Sequence, residues 1–343
     1  MSRAPAVTVS DDIDEIPAPA WGELMTAIRA PVFYRRDFVR AYQRSNLGGA
    51  MRTVYLTVAG GGGALAAALP AYLLDAAETG RVLGMPALAA DPRPALLGHL
   101  PHCYDTALPI RGGDPEVLAV LWSALRAEGR RAGAATIGLM NVPAGSPARA
   151  ALERLPGVAV VPGAARWSLD ASAYPDLDRF LAVMSRSTRR NLRGARSRAD
   201  RDGARIEITA HGPADDHAAI DDAVALCVAT AAKHGSRYYP GGPLRRFLGE
   251  LDDYLVIRVR LGDRTLAASI CLREASVLHT WAGGAHYPPE LRWSPNHVLF
   301  HAELELGFRI GVERIHCGRR NDEFKARHRL TREELVACLE SIA

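Results

Sequence analysis

Lysine is almost missing from this chain. Of its 42 basic residues only Lys233 and Lys325 are lysines; the rest are arginines. Arginine-heavy usage is the expected drift of a GC-rich coding sequence, so arginine abundance carries no function by itself. A lysine kept against that background stands out, because a compact ammonium does chemistry that a guanidinium does not. Paired cysteines are also missing. Cys103, Cys227, Cys271, Cys317 and Cys338 are scattered with no C-x-x-C spacing, which excludes a zinc knuckle, a redox motif and a disulfide framework and leaves free thiols. No apolar run is long enough to cross a bilayer. The first twenty residues, MSRAPAVTVSDDIDEIPAPA, carry acids and prolines where a signal peptide needs a basic start and an apolar core. A soluble, cytoplasmic protein without a membrane partner is expected. The net charge of +4 is too slight to argue for nucleic acid on its own.

What is present is a 343-residue α/β pattern, enough for one large or two ordinary domains. Residues 1–19 read as a disordered start. AWGELMTAIRAPVFYRRDFVRAYQRS follows with helical spacing. MRTVYLTVA and ALAAALPAYLL are two strands about the glycine run Gly60–Gly63. Four glycines invite a phosphate-loop reading, but a phosphate cradle needs a helix after the strand, and here a second strand follows. DPEVLAVLWSALRAEGRRAG is an amphipathic helix and AATIGLMNVP a buried strand. The Pro-, Gly- and Ala-rich stretch from Ala144 to Ala165 joins this lobe, residues 20–165, to a second one, residues 166–343. There, DLDRFLAVMSRSTRRNLRGARSRADRDG reads as one long helix and ARIEITA as a strand. The helix DHAAIDDAVALCVATAAKHG and a hairpin turning at Gly262-Asp263 come next. VLHTWAGGA is a strand, SPNHVLFHAELELGFRIG a helix and VERIHCG the last strand. The halves repeat a helix, hairpin, helix, strand order, as an internal duplication would.

Two segments carry a resemblance. SRSTRRNLRGARSR is similar to the basic R-R-N-[IL]-R helix of the FemAB/FemX-like transferases of the GNAT superfamily. GRRNDEFKARH resembles that family's glycine, then aromatic-Lys, closing motif. The resemblance spans roughly residues 20 to 335 as topology and is residue-specific in those two segments. It implies two tandem GNAT-like lobes, each a mixed twisted sheet flanked by helices, and an enzyme that moves an aminoacyl or acyl group onto an amine. It also implies that Phe324 and Lys325 face the reaction centre, with Lys325 stabilising the oxyanion. The chemistry of the residue agrees: amine attack on an ester or thioester carbonyl builds negative charge on oxygen, and a fixed cation there lowers the barrier. The donor arrives activated, so no covalent nucleophile is needed. An α-amine, with an ordinary pKa of about 7.7–8.0, can attack without a dedicated base.

Between Arg186 and Arg205 stand eight arginines and two aspartates. At about 100° per residue, Leu181, Met184, Leu192, Ala195 and Ala199 form one apolar stripe. Arg186, Arg189, Arg190, Arg193 and Arg196 gather away from it. That face is either solvated or a patch for the phosphates of a tRNA, since guanidinium forks pair with phosphate oxygens. Asn191 is either a buried hydrogen-bonding residue or a substrate contact. Tyr238, Tyr239, Asn296 and Arg320 are candidate substrate contacts, with core packing open as an alternative for the tyrosines. Tyr34, Arg35 and Arg36 fall where the family often places acceptor contacts, though without a lysine. His297, His301 and Glu305 make a helical row that lacks a third ligand at secure spacing, so no metal is expected. His316 could serve as a proton acceptor.

The pyrophosphate loop of an acetyl-CoA site, [RQ]-x-x-G-x-[GA], has one literal match, Arg130–Ala135. It lies after a helix and before a strand, the wrong context. Between WAGGA and SPNHVLF stands HYPPELRW instead. No cofactor is expected, and the family's aminoacyl-tRNA donor is favoured, with a small amine or peptide as acceptor. An acyl-CoA-dependent N-acyltransferase and a non-catalytic Fem-like binding protein are the two alternatives.

Overall fold

The computed structural model describes residues 6–98, 102–212, 218–233 and 238–342. The chain divides into two compact units. One comprises the residues up to Ala164 with those from Glu334 onward, and the other is Ala165–Glu333.

The first half of the chain runs β1 (Val7–Ser10), α1 (Ala18–Ala27), α2 (Arg36–Ser45), β2 (Arg52–Ala59), β3 (Leu65–Asp75), α3 (Ala76–Leu83), α4 (Pro86–Ala89), β4 (Pro94–Gly98), α5 (Pro115–Arg131), β5 (Thr136–Pro143), α6 (Pro147–Leu152) and β6 (Ala159–Asp170). The second runs α7 (Leu177–Ala182), α8 (Arg186–Arg201), β7 (Arg205–His211), α9 (Ala218–Lys233), α10 (Gly241–Glu250), β8 (Tyr254–Leu261), β9 (Arg264–Glu274), β10 (Val277–Ala285), α11 (Pro295–Arg309), β11 (Arg314–Arg319), α12 (Asp322–Arg327) and β12 (Thr331–Ser341).

In the first unit the strands lie in the order β1-β2-β3-β4-β5-β12. The β4–β5 pair is parallel, and the β1–β2, β2–β3, β3–β4 and β5–β12 pairs are antiparallel. Alternation along β2 decides which helix each side chain meets. Val54, Leu56 and Val58 pack with Leu118, Leu121 and Leu125 of α5, while Tyr55 packs with Trp21 and Leu24 of α1. The second unit orders its strands β7-β8-β9-β10-β11-β6, again with one parallel pair, β10–β11. Its core joins Ile257, Leu266, Cys271 and Ile315 of the sheet to Val298, Leu299, Phe300 and Leu304 of α11. On β10 a Cβ at Gly284 would lie 2.1 Å from the Leu226 carbonyl oxygen of α9. Glycine is what lets that helix sit on the strand. The β8–β9 hairpin pairs Leu261 with Arg264, leaving Gly262-Asp263 as a two-residue turn with Gly262 at φ +58°, as a twisted hairpin demands.

Several expectations are corrected. Within residues 1–19, of which 1–5 lie outside the described residues, β1 pairs with β2 from Val7↔Val58 to Ser10↔Tyr55, so this start is ordered. The expected joint, Ala144–Ala165, holds α6 and the first part of β6. The long basic helix is two, α7 and α8, broken where the Ser185 side chain accepts the Thr188 amide (3.2 Å) and caps the second. The helix expected over 216–235 is α9, and 216–217 and 234–235 lie outside the described residues. VERIHCG is followed by one more strand, β12, which pairs antiparallel with β5. Residues from Glu334 onward therefore pack in the first unit, not the second.

Candidate active site

The two parallel strands of the second unit share only three ladder positions, Val277↔Arg314 to His279↔His316. Past them β10 shifts register against β9 between Thr280 and Ala282. In the same stretch β11 shifts against β6 between His316 and Arg319, where Gly318 adopts φ +69°. The arms Thr280–Ala285 and Cys317–Arg319 leave the ladder at this point. In the first unit the chain itself fills the equivalent position beside β5. Asn141 donates its Nδ2–H to the Cys103 carbonyl (2.6 Å), the Thr106 amide donates to Asn141 (3.2 Å), and Thr106 Oγ1 donates to Met140 (2.6 Å). In the second unit Thr280 Oγ1 donates across the two strands to the His316 carbonyl (3.3 Å).

Lys325 is set at this point by a tight turn. After Gly318, both Arg320 (φ +64°) and Asn321 (φ +57°) are left-handed, a conformation uncommon for residues with a Cβ, and they swing the chain directly into α12. The indole of Trp167 donates to Asp322 (2.9 Å). The Leu330 amide closes back on the Lys325 carbonyl (3.1 Å), with Arg329 at φ +60°, the cap that ends a helix on a left-handed residue. Held from both ends, Lys325 is 7% exposed, and its Nζ donates to the Arg319 carbonyl (2.9 Å). Among the described residues it has no ion pair within 4.0 Å. Burial pulls the ammonium down to about 8, partly countered by Cys317, Asp322 and Glu303.

Glu303 of α11 acts electrostatically on this ammonium without an ion pair within 4.0 Å among the described residues. At about 100° per residue it lies on the side of the helix that holds Asn296, Leu299, Phe300 and Gly307. Leu299, Phe300 and Gly307 are buried, whereas Asn296 and Glu303 are partly exposed. Solvent thus reaches polar groups along a mostly apolar stripe. Ser269 of β9 is 1% exposed, with its hydroxyl 3.6 Å from the Cys271 sulfur. Burial pushes the Glu303 carboxyl up to about 7, against the lowering effects of Ser269 and Lys325. The neighbouring Cys317 thiol is pushed up to about 12 by its own burial and Cys271 is raised further, so both sulfurs stay neutral.

Tyr238 and Tyr239 stand against both diverging strands. The Arg319 guanidinium of β11 donates to the Tyr238 hydroxyl and lies 5.8 Å from its ring centroid. The Tyr239 hydroxyl donates to the Trp281 carbonyl of β10 (3.3 Å), with the two rings 5.8 Å apart. The remaining expected residues separate from this group. Phe324 packs among His297 (5.4 Å), Phe300 (5.2 Å) and His328 (4.1 Å), partly buried against the core. Arg320 is exposed. His316 is buried and stacked on His279 at 5.0 Å, and burial, with His279 next, holds it well below the ordinary histidine value. His301 contacts Glu305 (3.8 Å), and among the described residues no three potential ligands gather around a metal position. Tyr34 is fully buried, while Arg35 pairs with Asp37 (2.5 Å) and Arg36 with Asp14 (3.3 Å), so these three are taken up by the first unit's own packing.

The basic helix α8 packs against α11 through Thr188, Leu192, Ala195 and Ala199. Arg193 pairs with Asp178 (2.6 Å), and Arg196 with Asp200 (3.0 Å) and Glu305 (3.9 Å). Glu305 and Glu303 are two residues apart and so point roughly 200° apart around α11. The Arg193–Arg196 face is thus on the other side of α11 from the Lys325 group. Arg189 donates to the Ala182 carbonyl (2.9 Å). Arg186 and Arg190 are exposed and make no ion pair among the described residues. Asn191 is exposed as well, not buried. Glu303, Ser269, Trp281 and Arg319 were not singled out by sequence. Only Glu303 left a signal there, as a carboxylate seven residues after Asn296 on an apolar helical face.

The start of α11 bears on the donor. Pro295 has no N–H, and the His297 amide is taken by the Ser294 hydroxyl (3.3 Å). Little of the N–H cradle that a pyrophosphate needs is left. Arg130 and Arg131 belong to the last turn of α5, and Gly133 (φ +68°) ends that helix.

Residues 186–326, all within the second unit, match the family described as Acetyltransferase (GNAT) domain. The chain has a tandem GNAT fold, as FemX and a tandem GNAT protein do. It is similar to the crystal structure of FemX (TM-score 0.60, 10% identity, 92% of this chain and 95% of that one). It also resembles a tandem GNAT protein from the clavulanic acid biosynthesis pathway (TM-score 0.55, 16% identity, 98% and 99%). A third similar structure is L-PGS from Bacillus licheniformis (TM-score 0.57, 9% identity, 95% and 92%). No curated protein sequence matches the chain significantly. No helix among the described residues is long and apolar enough to cross a membrane.

Proposed function

We propose that this protein moves an aminoacyl group from a charged tRNA to the amine of a small molecule or peptide, forming an amide. The observation that carries the reading is the buried Lys325 ammonium just past β11, without an ion-pair partner within 4.0 Å among the described residues. A cation so placed costs folding free energy, and it is ready for a negative charge that appears only during reaction. As the amine attacks the ester carbonyl, the oxygen gains that charge and Lys325 stabilises it; removing one such donor typically costs about a hundredfold or more in rate. Tyr238 and Tyr239 would wall the substrate, and Arg186 and Arg190 offer guanidinium groups to tRNA phosphates. The capped, proline-led start of α11 favours tRNA over coenzyme A.

An acyl-CoA-dependent N-acyltransferase is the second reading, favoured by the acetyltransferase family match. Incubation of the protein with radiolabelled aminoacyl-tRNA and pooled amines tests the first. RNase-sensitive amide product is expected, and its absence together with acyl-CoA-dependent product would replace tRNA by coenzyme A. Stabilisation by deacylated tRNA but not by CoA in a thermal shift is the matching binding result. Binding that survives Lys325→Ala with no activity in either protein would instead indicate a non-catalytic binding protein.

A further inference from the structure

We propose that Trp167 is a positioning residue for the transfer: its indole holds Asp322 aside, so that the Lys325 ammonium is left open for the carbonyl oxygen. The role rests on the transfer reaction proposed above. Asp322 opens α12 and Lys325 follows three positions on, the spacing at which an acid and a base meet on one helix face and ordinarily pair. Among the described residues the two do not pair within 4.0 Å. The Asp322 carboxylate accepts the Trp167 indole N–H instead (2.9 Å), and Lys325 Nζ donates to the Arg319 carbonyl (2.9 Å). Arg166 is the β6 partner of Arg319, so Trp167, the next residue, turns to the other face of the sheet, where its ring is part of the buried core. The packed ring is the fixed member of the pair, and the carboxylate is the one it holds.

A carboxylate paired with Lys325 would neutralise it before any substrate arrived. The charge growing on the carbonyl oxygen would then compete with a full negative charge already in place. Asp322 is exposed, so core packing does not fix its side chain; the hydrogen bond to the indole does. Held there, it still favours the ammonium from a distance. Burial lowers the proton affinity of Lys325, with Cys317, Asp322 and Glu303 acting against that effect and Arg319 adding to it. The tether thus lets Asp322 help keep the group protonated without occupying it.

Trp167→Phe keeps an aromatic ring in the core and deletes the N–H. Turnover should fall about tenfold or more with the donor KM little changed, because the buried ring acts through Asp322. The released carboxylate pairs with Lys325, so amine-reactive labelling at Lys325 should need a higher pH. Adding Asp322→Asn to Trp167→Phe removes the competing charge; it should restore most of the turnover and bring the labelling back to lower pH. A merely structural loss would not be recovered by that second substitution. Asp322→Asn alone, at an exposed position, should move labelling below the wild-type pH, a result that tests the tether even where Trp167→Phe does not fold. A turnover loss in Trp167→Phe that Asp322→Asn leaves in place, or labelling at one pH in wild type and both single variants, would overturn the inference while leaving the transfer reading standing. No transfer by the wild type from tRNA or CoA would overturn the transfer reading, and the role of Trp167 with it.

Discussion

Replacing Lys325 by methionine should make the protein more stable and inactive. The ammonium is 7% exposed and is held at about 8 instead of 10.5. At 1.36 kcal/mol per tenfold, that difference corresponds to a cost of roughly 3 kcal/mol for keeping the charge in the folded state. The sign follows from proton binding. Between pH 8 and 10.5 the unfolded chain holds the lysine proton more tightly than the folded one, so stability rises with pH there. The penalty is complete below pH 8 and fades above it. Methionine has similar length and no charge, but it leaves the Arg319 carbonyl without its 2.9 Å donor, a loss of about 1–2 kcal/mol for a partly exposed acceptor. Glu303, losing the nearby cation, becomes protonated at neutral pH and adds no new bare charge. The net gain is about 1–2 kcal/mol at pH 6.5, or about 3–6 °C in melting temperature for a unit of this size. Thermal unfolding of both proteins at pH 6.5 and pH 10 measures it. The gap should be largest at pH 6.5 and close toward pH 10. A methionine variant less stable than the wild type at pH 6.5, or a gap independent of pH, would refute the reasoning.

Glu340 of β12 ties the C-terminal strand to α5. It accepts from the Trp122 indole (2.6 Å) and from Arg126 twice (2.7 and 2.9 Å). Glu340→Ala should therefore destabilise the first unit by about 2–3 kcal/mol, read from the urea midpoint. Burial raises the Glu340 carboxyl, but Arg126 and Trp122 outweigh it and leave it below the ordinary value. Its stabilisation is thus present above about pH 4.3 and is lost as pH falls below it, so an acid titration of the wild type should show a loss that the alanine variant lacks. Arg186→Glu with Arg190→Glu should weaken tRNA binding and lower the slope of log affinity against log salt by about 1 to 2, measured by filter binding at several salt concentrations. An unchanged slope would remove α8 from the tRNA surface.

The local signals in this sequence were strong where neighbours in sequence are neighbours in space. The glycine run and Gly262-Asp263 mark hairpins because the strands they join pair with each other. The strand β12 is hidden for the opposite reason: TREELVACLES is rich in helix formers, and its partner β5 lies far back in the chain. The break between α7 and α8 falls at Ser185, with no proline or glycine to mark it, so a periodic run reads as one helix. Lys325 stood out by rarity and motif. Glu303 had neither. Phe324 shows the limit of a motif: it shares the dipeptide with Lys325, yet its ring joins an aromatic cluster with His297, Phe300 and His328.

The central claim, that the Lys325 ammonium stabilises a carbonyl oxygen during acyl transfer, is tested most directly by single-turnover kinetics. A preformed complex of enzyme and labelled aminoacyl-tRNA is mixed with excess amine acceptor, and amide formation is followed for wild type and Lys325→Ala. The chemical step should be slower by about a hundredfold or more in the variant, with donor binding retained. Equal single-turnover rates in the two proteins would contradict it.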